Sequence, residues 1–164
     1  MKGKSITSQF RDACKTGDLK KVKYILARSK KINVKYLNAM YTLNFAVMDG
    51  HSNIVKLLVD MGANVNKGDS YYECRPLHDA CRKGYLKIAE ILVENGADID
   101  ATGKFSNSTP LHYAAIKQNY EIIKLLLKNG CKTDIRNKQN MTALELAMDR
   151  GYMDVVKVIA FHNK

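Results

Sequence analysis

No apolar run in these 164 residues approaches the ~20 needed to cross a bilayer, and Met1 to Gln9 is polar, with two lysines and no apolar core of a secretory signal. These absences argue against a membrane span and for an intracellular chain, cytoplasmic or nuclear. The four cysteines, Cys14, Cys74, Cys81 and Cys131, include no CxxC pair and lie far apart, as suits reduced thiols. The histidines are His51, His78, His112 and His162, and no Cys/His pair has metal-ligand spacing. Nor is there a Gly-rich phosphate loop, a GxSxG elbow or a paired-carboxylate signature. The expectation is a protein that is not an enzyme and uses no metal, cofactor or small-molecule substrate.

What the chain has instead is repetition. Phe10, Leu43, Leu77, Leu111 and Leu144 begin five copies of one apolar pattern, spaced by 33, 34, 34 and 33 residues. Seven residues after each comes Gly17, Gly50, Gly84, Gln118 and Gly151. A fixed period of this size marks a stacked array whose units are too small to bury their apolar faces alone, so the core must form between neighbours.

The copy at 107–130 is the clearest. Proline costs no hydrogen bond in a first helical turn and has its φ preset, so Thr109-Pro110 predicts a helix start with threonine as cap. The small pair Ala114-Ala115 admits a close neighbour; Cys14 and Cys81 take the Ala115 position and read as small packing residues. Ile122, Ile123, Leu125, Leu126 and Leu127 predict a second helix apolar around most of its circumference, hence sandwiched. Gly62, Gly96 and Gly130 sit where a helix end needs a left-handed residue, and the stretch beyond reads as a β-hairpin-like finger. His78 and His112 share one register in two copies, which points to a structural imidazole bonded to the cap threonine or nearby backbone.

Thr109-Pro110-Leu111-His112-Tyr113-Ala114-Ala115, Gly50-His51-Ser52-Asn53-Ile54-Val55-Lys56-Leu57-Leu58 and Gly62-Ala63-Asn64-Val65-Asn66 resemble the ankyrin repeat over nearly the whole chain. The resemblance implies an all-α repeat solenoid of helix-turn-helix units with projecting fingers. Five repeats are expected, at 3–35, 36–69, 70–103, 104–136 and 137–164. Gln118 replaces a loop glycine, and repeats one, two and five lack the Thr-Pro pair, so those copies are expected to cap or turn less regularly.

The ends differ. Lys21 stands where later copies carry Ile54, Ile88, Ile122 and Val155, which reads as a polar N-terminal cap. The last copy, with Val155, Val156, Val158, Ile159 and Phe161, is as apolar as an internal one, and association through it is expected.

The net charge of +11 suggests an acidic partner. On the ankyrin-like frame, Lys20, Lys23, Lys56, Lys87, Lys124, Lys128 and Lys157 fall on the second helix, the convex side, as a solvated face. Lys15, Arg82, Lys83, Lys117 and Arg150 end first helices on the concave side, opposed by Asp49 and Asp149. This mixture differs from the continuous basic stripe of a nucleic-acid reader, and any binding to nucleic acid is expected to lack sequence specificity.

The family binds proteins through finger tips and the concave face. The resemblance therefore places the partner surface at Met40, Met48, Tyr71, Tyr72, Arg82, Lys83, Phe105, Ser106, Ile116, Lys117, Lys138 and Met141. Aromatic and arginine side chains dominate interface energetics, and exposed tips gain nothing in folding by carrying them. Tyr71, Tyr72 and Phe105 are the central candidates. The span from Gly62 to Leu77 and from Gly96 to Leu111 is fifteen residues, against fourteen from Gly130 to Leu144, so the lengthened fingers carry the aromatics. The reading is an intracellular scaffold, adaptor or inhibitor whose partner offers an acidic or mixed apolar surface. Its alternatives are a basic nucleic-acid-binding protein, or a targeting module of a larger protein or pathogen effector.

Overall fold

The computed structural model describes residues 5–30, 36, 42–68 and 74–162. Ten helices have their bounds among these residues, and no strand is found among them: α1 (Ile6–Thr16), α2 (Leu19–Arg28), α3 (Thr42–Met48), α4 (Ser52–Asp60), α5 (Pro76–Lys83), α6 (Leu86–Glu94), α7 (Pro110–Ile116), α8 (Tyr120–Lys128), α9 (Ala143–Asp149) and α10 (Met153–Ala160). They form five successive pairs, each second helix packing back on its first across a turn of two or three residues. First helices pack side by side in one layer, second helices in the other, and helices in substantial contact belong to the same or adjacent pairs. This is an all-α repeat solenoid.

The interface between layers follows the register of the sequence. Phe10, Leu43, Leu77 and Leu111 are almost completely buried, whereas Leu144 is half-buried. Cys14 and Cys81 are fully buried at the small-residue position, and burial pushes the Cys14 thiol up to about 12, so it stays protonated. Ile54, Ile88, Ile122 and Val155 are buried; Lys21, at the same register of α2, is exposed. In α8, Ile122, Ile123, Leu126 and Leu127 are buried while Leu125 is half-buried on the outer side.

Gly17, Gly50, Gly84 and Gly151 adopt positive φ in the turn between paired helices, and Gln118 holds φ at 55° in the same place. The turn therefore keeps its form without glycine, at the steric cost that a β-carbon brings to left-handed backbone. At three of these turns the next pair closes over the glycine. A β-carbon on Gly17, Gly50 or Gly84 would stand 2.7, 2.9 and 2.9 Å from His51, Tyr85 and Asn119 respectively. His51 Nε2 donates to Lys15 O at 2.9 Å and Asn119 Nδ2 to Cys81 O at 2.6 Å, so orphan carbonyls at the ends of α1 and α5 are satisfied from the following turn.

Among the described residues the fingers contain turns and no assigned strand. Bonds of hairpin type close two of them, Gly103 N to Ser108 O at 3.2 Å and Asn137 N to Met141 O at 2.9 Å. Among the described residues, the last three fingers are tied each to the next. Asp98 N donates to Asn66 Oδ1 at 2.7 Å, Lys132 N to Asp100 Oδ1 at 2.8 Å, and Lys138 N to Ser106 O at 2.9 Å.

Candidate partner-binding surface

The first helices end in a common register, and their last residues form a graded edge. Met48 closes α3 and is exposed, with Asp49 beside it. Arg82 and Lys83 close α5, Ile116 and Lys117 close α7, and Asp149 and Arg150 close α9. Lys83, Lys117 and Arg150 therefore follow one another along three adjacent pairs, all exposed. Ile116 is half-buried.

Arg82 is held rather than free. Its Nη2 donates to Asp79 Oδ1 at 2.6 Å, and that nearly buried carboxylate holds the guanidinium further into its charged range. One cation of the edge is thus neutralised by its own helix and fixed in position.

The third finger presents Phe105, 55% exposed, at the turn formed by 104–106. Ser106 behind it is bonded on two sides: Oγ lies 3.2 Å from Tyr113 Oη and accepts from Ser108 N at 3.2 Å. Lys138 in the next finger is exposed, and Met141 is half-buried with its carbonyl accepting from His112 Nε2 at 3.0 Å. Phe105 and Lys138 thus stand in adjacent fingers coupled by a backbone hydrogen bond, and Met141 contributes structure through its main chain. Met40, Tyr71 and Tyr72 lie outside the described residues.

Sequence reasoning overlooked Tyr113. Its ring meets His78 edge-on at 5.7 Å, its hydroxyl faces Ser106, and Cys74 and Arg82 lie within its electrostatic reach. The signal was its helical spacing: in α7 it points away from the face that holds Leu111, Ala114 and Ala115. It props the Phe105 finger against the layer of first helices.

The histidines work as structure. His78 Nδ1 accepts from Arg75 N at 3.0 Å and Nε2 donates to Ala101 O at 2.9 Å; His112 Nδ1 accepts from Thr109 N at 3.2 Å and Nε2 donates to Met141 O. Both rings are neutral in this arrangement, and burial lowers both pKa values. In the pair formed by α3 and α4, Asn44 replaces the histidine. Neither its amide nor the hydroxyl of Thr42 has a partner among the described residues.

Two open grooves, of about 320 and 220 Å³, lie at equivalent turns, one around Gly84 and Asn119 and the other around Gly17 and His51. Their recurrence at one register marks them as products of stacking. Among the described residues no group of three or more His, Cys, Asp or Glu side chains could hold a metal ion, and no helix is long and apolar enough to cross a membrane.

A family model of ankyrin repeats, in three copies, matches residues 10–103 and 102–164. No curated protein matches the chain.

Proposed function

The chain belongs to the ankyrin-repeat family, whose repeats are generally protein-interaction modules, and on that premise we propose that it is a non-catalytic scaffold, adaptor or inhibitor. We propose further that its five repeats divide at 3–35, 36–69, 70–103, 104–136 and 137–164, and that it engages its partner through the concave edge and the fingers of repeats three to five. The observation that supports this best is the exposed Phe105 ring on a finger locked by Ser106 and Tyr113 and bonded to the backbone of exposed Lys138, with Lys83 and Lys117 exposed at the ends of α5 and α7. A preordered aromatic loses little freedom on binding and so contributes efficiently to affinity. The exposed cations of the edge and of the last finger favour a partner that is acidic or mixed, with an apolar group for Phe105.

Site-specific photo-crosslinking tests the assignment. A photoreactive side chain at position 105 or 117 is expected to capture the same protein in cell extract, and one at position 124, on α8, is expected not to. Capture of that protein from position 124 alone would place its contact on the second-helix layer and overturn the reading.

A further inference from the structure

The positive charge is concentrated at one end of the array. The first 36 residues hold eleven lysines and arginines against Asp12 and Asp18, a net of +9 out of the chain's +11. The contrast is sharpest among second helices. Every later one pairs a lysine with a carboxylate on its own surface: Lys56 with Asp60, Lys87 with Glu90, Lys124 with Glu121 and Lys157 with Asp154. α2 contains no acidic residue, and Lys20, Lys21, Lys23 and Arg28 have no carboxylate partner among the described residues.

These cations form one face. At about 100° per residue, Lys23, Lys20, Tyr24, Arg28 and Lys21 span an exposed arc of roughly 160°, while Val22 and Ile25 fill the opposite, buried arc. Tyr24 lies mid-arc, 56% exposed, with the Arg28 guanidinium carbon 4.6 Å from its ring centroid. A polar terminal repeat needs only to face water, and mixed charge does that without self-repulsion. A face of cations alone around an aromatic ring goes beyond that requirement.

We propose that this outer face of α2 binds the backbone of single-stranded nucleic acid without sequence preference, lysines and Arg28 on phosphates and a base against Tyr24. Three observations select this occupant. The cations of α2 stand together with no acidic residue in the helix, and lysine serves phosphate well as a point charge. With Val22 and Ile25 in the core, the helix keeps no apolar stripe to insert into a bilayer. The exposed aromatic among cations is the arrangement that stacks unpaired bases. This surface is separate from the concave edge, so either assignment can fail alone.

Fluorescence anisotropy of the full chain with a labelled oligouridylate of about 20 nucleotides tests it. With four cations engaged, log K is expected to fall against log salt with a slope of about −3. Lys20→Glu/Lys23→Glu is expected to weaken binding more than tenfold at about 50 mM salt. Lys124→Glu/Lys128→Glu, which changes net charge equally, is expected to weaken it less than about twofold. Tyr24→Ala is expected to weaken it about fivefold, with Tyr24→Phe restoring it. Circular dichroism melts, expected to be unchanged by these exposed substitutions, check that the fold is intact. Equal losses from both charge reversals, no effect of Tyr24→Ala, or tighter binding of polyglutamate or phosphatidylserine vesicles than of the oligonucleotide would each overturn the proposal.

Discussion

The side-chain amide of Asn119 reaches back across the repeat boundary to the carbonyl oxygen of Cys81, 2.6 Å away. His51 makes the same reach to Lys15 O at 2.9 Å. Two different side chains thus do one job, closing the end of the preceding first helix over a turn where a glycine leaves room. Asn119→Ala leaves that carbonyl without its partner and is expected to lower unfolding free energy by about 1–2 kcal/mol, with Asn119→His recovering part of the loss. Urea unfolding curves compare the three.

Gln118 carries a β-carbon at φ 55° where the equivalent turns use glycine. Gln118→Gly removes that strain and is expected to raise stability by roughly 0.5–1 kcal/mol after the added freedom of the unfolded chain is discounted. Gly50→Ala reverses the argument, because φ there is 81° and the new β-carbon would stand 2.9 Å from the Tyr85 ring. A loss of about 2 kcal/mol is expected, read from the same curves.

His78 and His112 have lowered pKa values in the folded chain because burial disfavours the imidazolium. The unfolded chain therefore binds protons first as pH falls. The stability tied to these rings is present in full above the ordinary histidine value of 6.5 and is lost as pH drops from there through the folded values. Thermal melts across this range should show a falling midpoint, and His78→Gln/His112→Gln should flatten the slope. An unchanged slope in the double variant would assign the pH dependence to other groups.

Removing the Phe105 ring is expected to change stability by less than about 0.5 kcal/mol, as for an exposed surface site, and Leu126→Ala, at a fully buried position, to cost roughly 2–5 kcal/mol. Partner affinity should respond in the opposite order, with more than about a tenfold loss for Phe105→Ala/Tyr71→Ala/Tyr72→Ala. A thermal melt beside a binding titration reads both.

At the last pair, Val155 and Ile159 are buried, Val156 and Val158 half-buried, and Met148, Met153 and Phe161 exposed. The apolar end anticipated from sequence is thus partly satisfied within its own layer. Met148→Lys/Met153→Lys is expected to leave the melting midpoint nearly unchanged while reducing any concentration-dependent light scattering. A lower midpoint would identify the two methionines as packing residues.

The architecture was legible because its determinants are local and recur. Leu77 and Leu111, His78 and His112, and Gly50 and Gly84 state one structural role more than once, and repetition separates pattern from noise. What was hidden depends on juxtaposition across repeats. Tyr113 meets the ring of His78, and the Asn119 amide reaches Cys81 O, neither of which a single repeat's periodicity reveals. The N-terminal concentration of charge was in plain sight but dissolved into a global +11; only the absence of carboxylate partners for α2 among the described residues gives it a location.

Because each helix pair touches only the pairs beside it, disturbance travels along this molecule as along a row of tiles. Among the described helices, the α1–α2 pair is fastened on a single side, to α3 and α4, as α9–α10 is to α7 and α8, so these two are the tiles that lift with least resistance while the rest stays seated. Amide protons of α2 should therefore exchange with solvent sooner than those of α6, which has neighbours on both flanks. Anything that clasps α2 from outside would slow that exchange at the far edge before it is felt at α8.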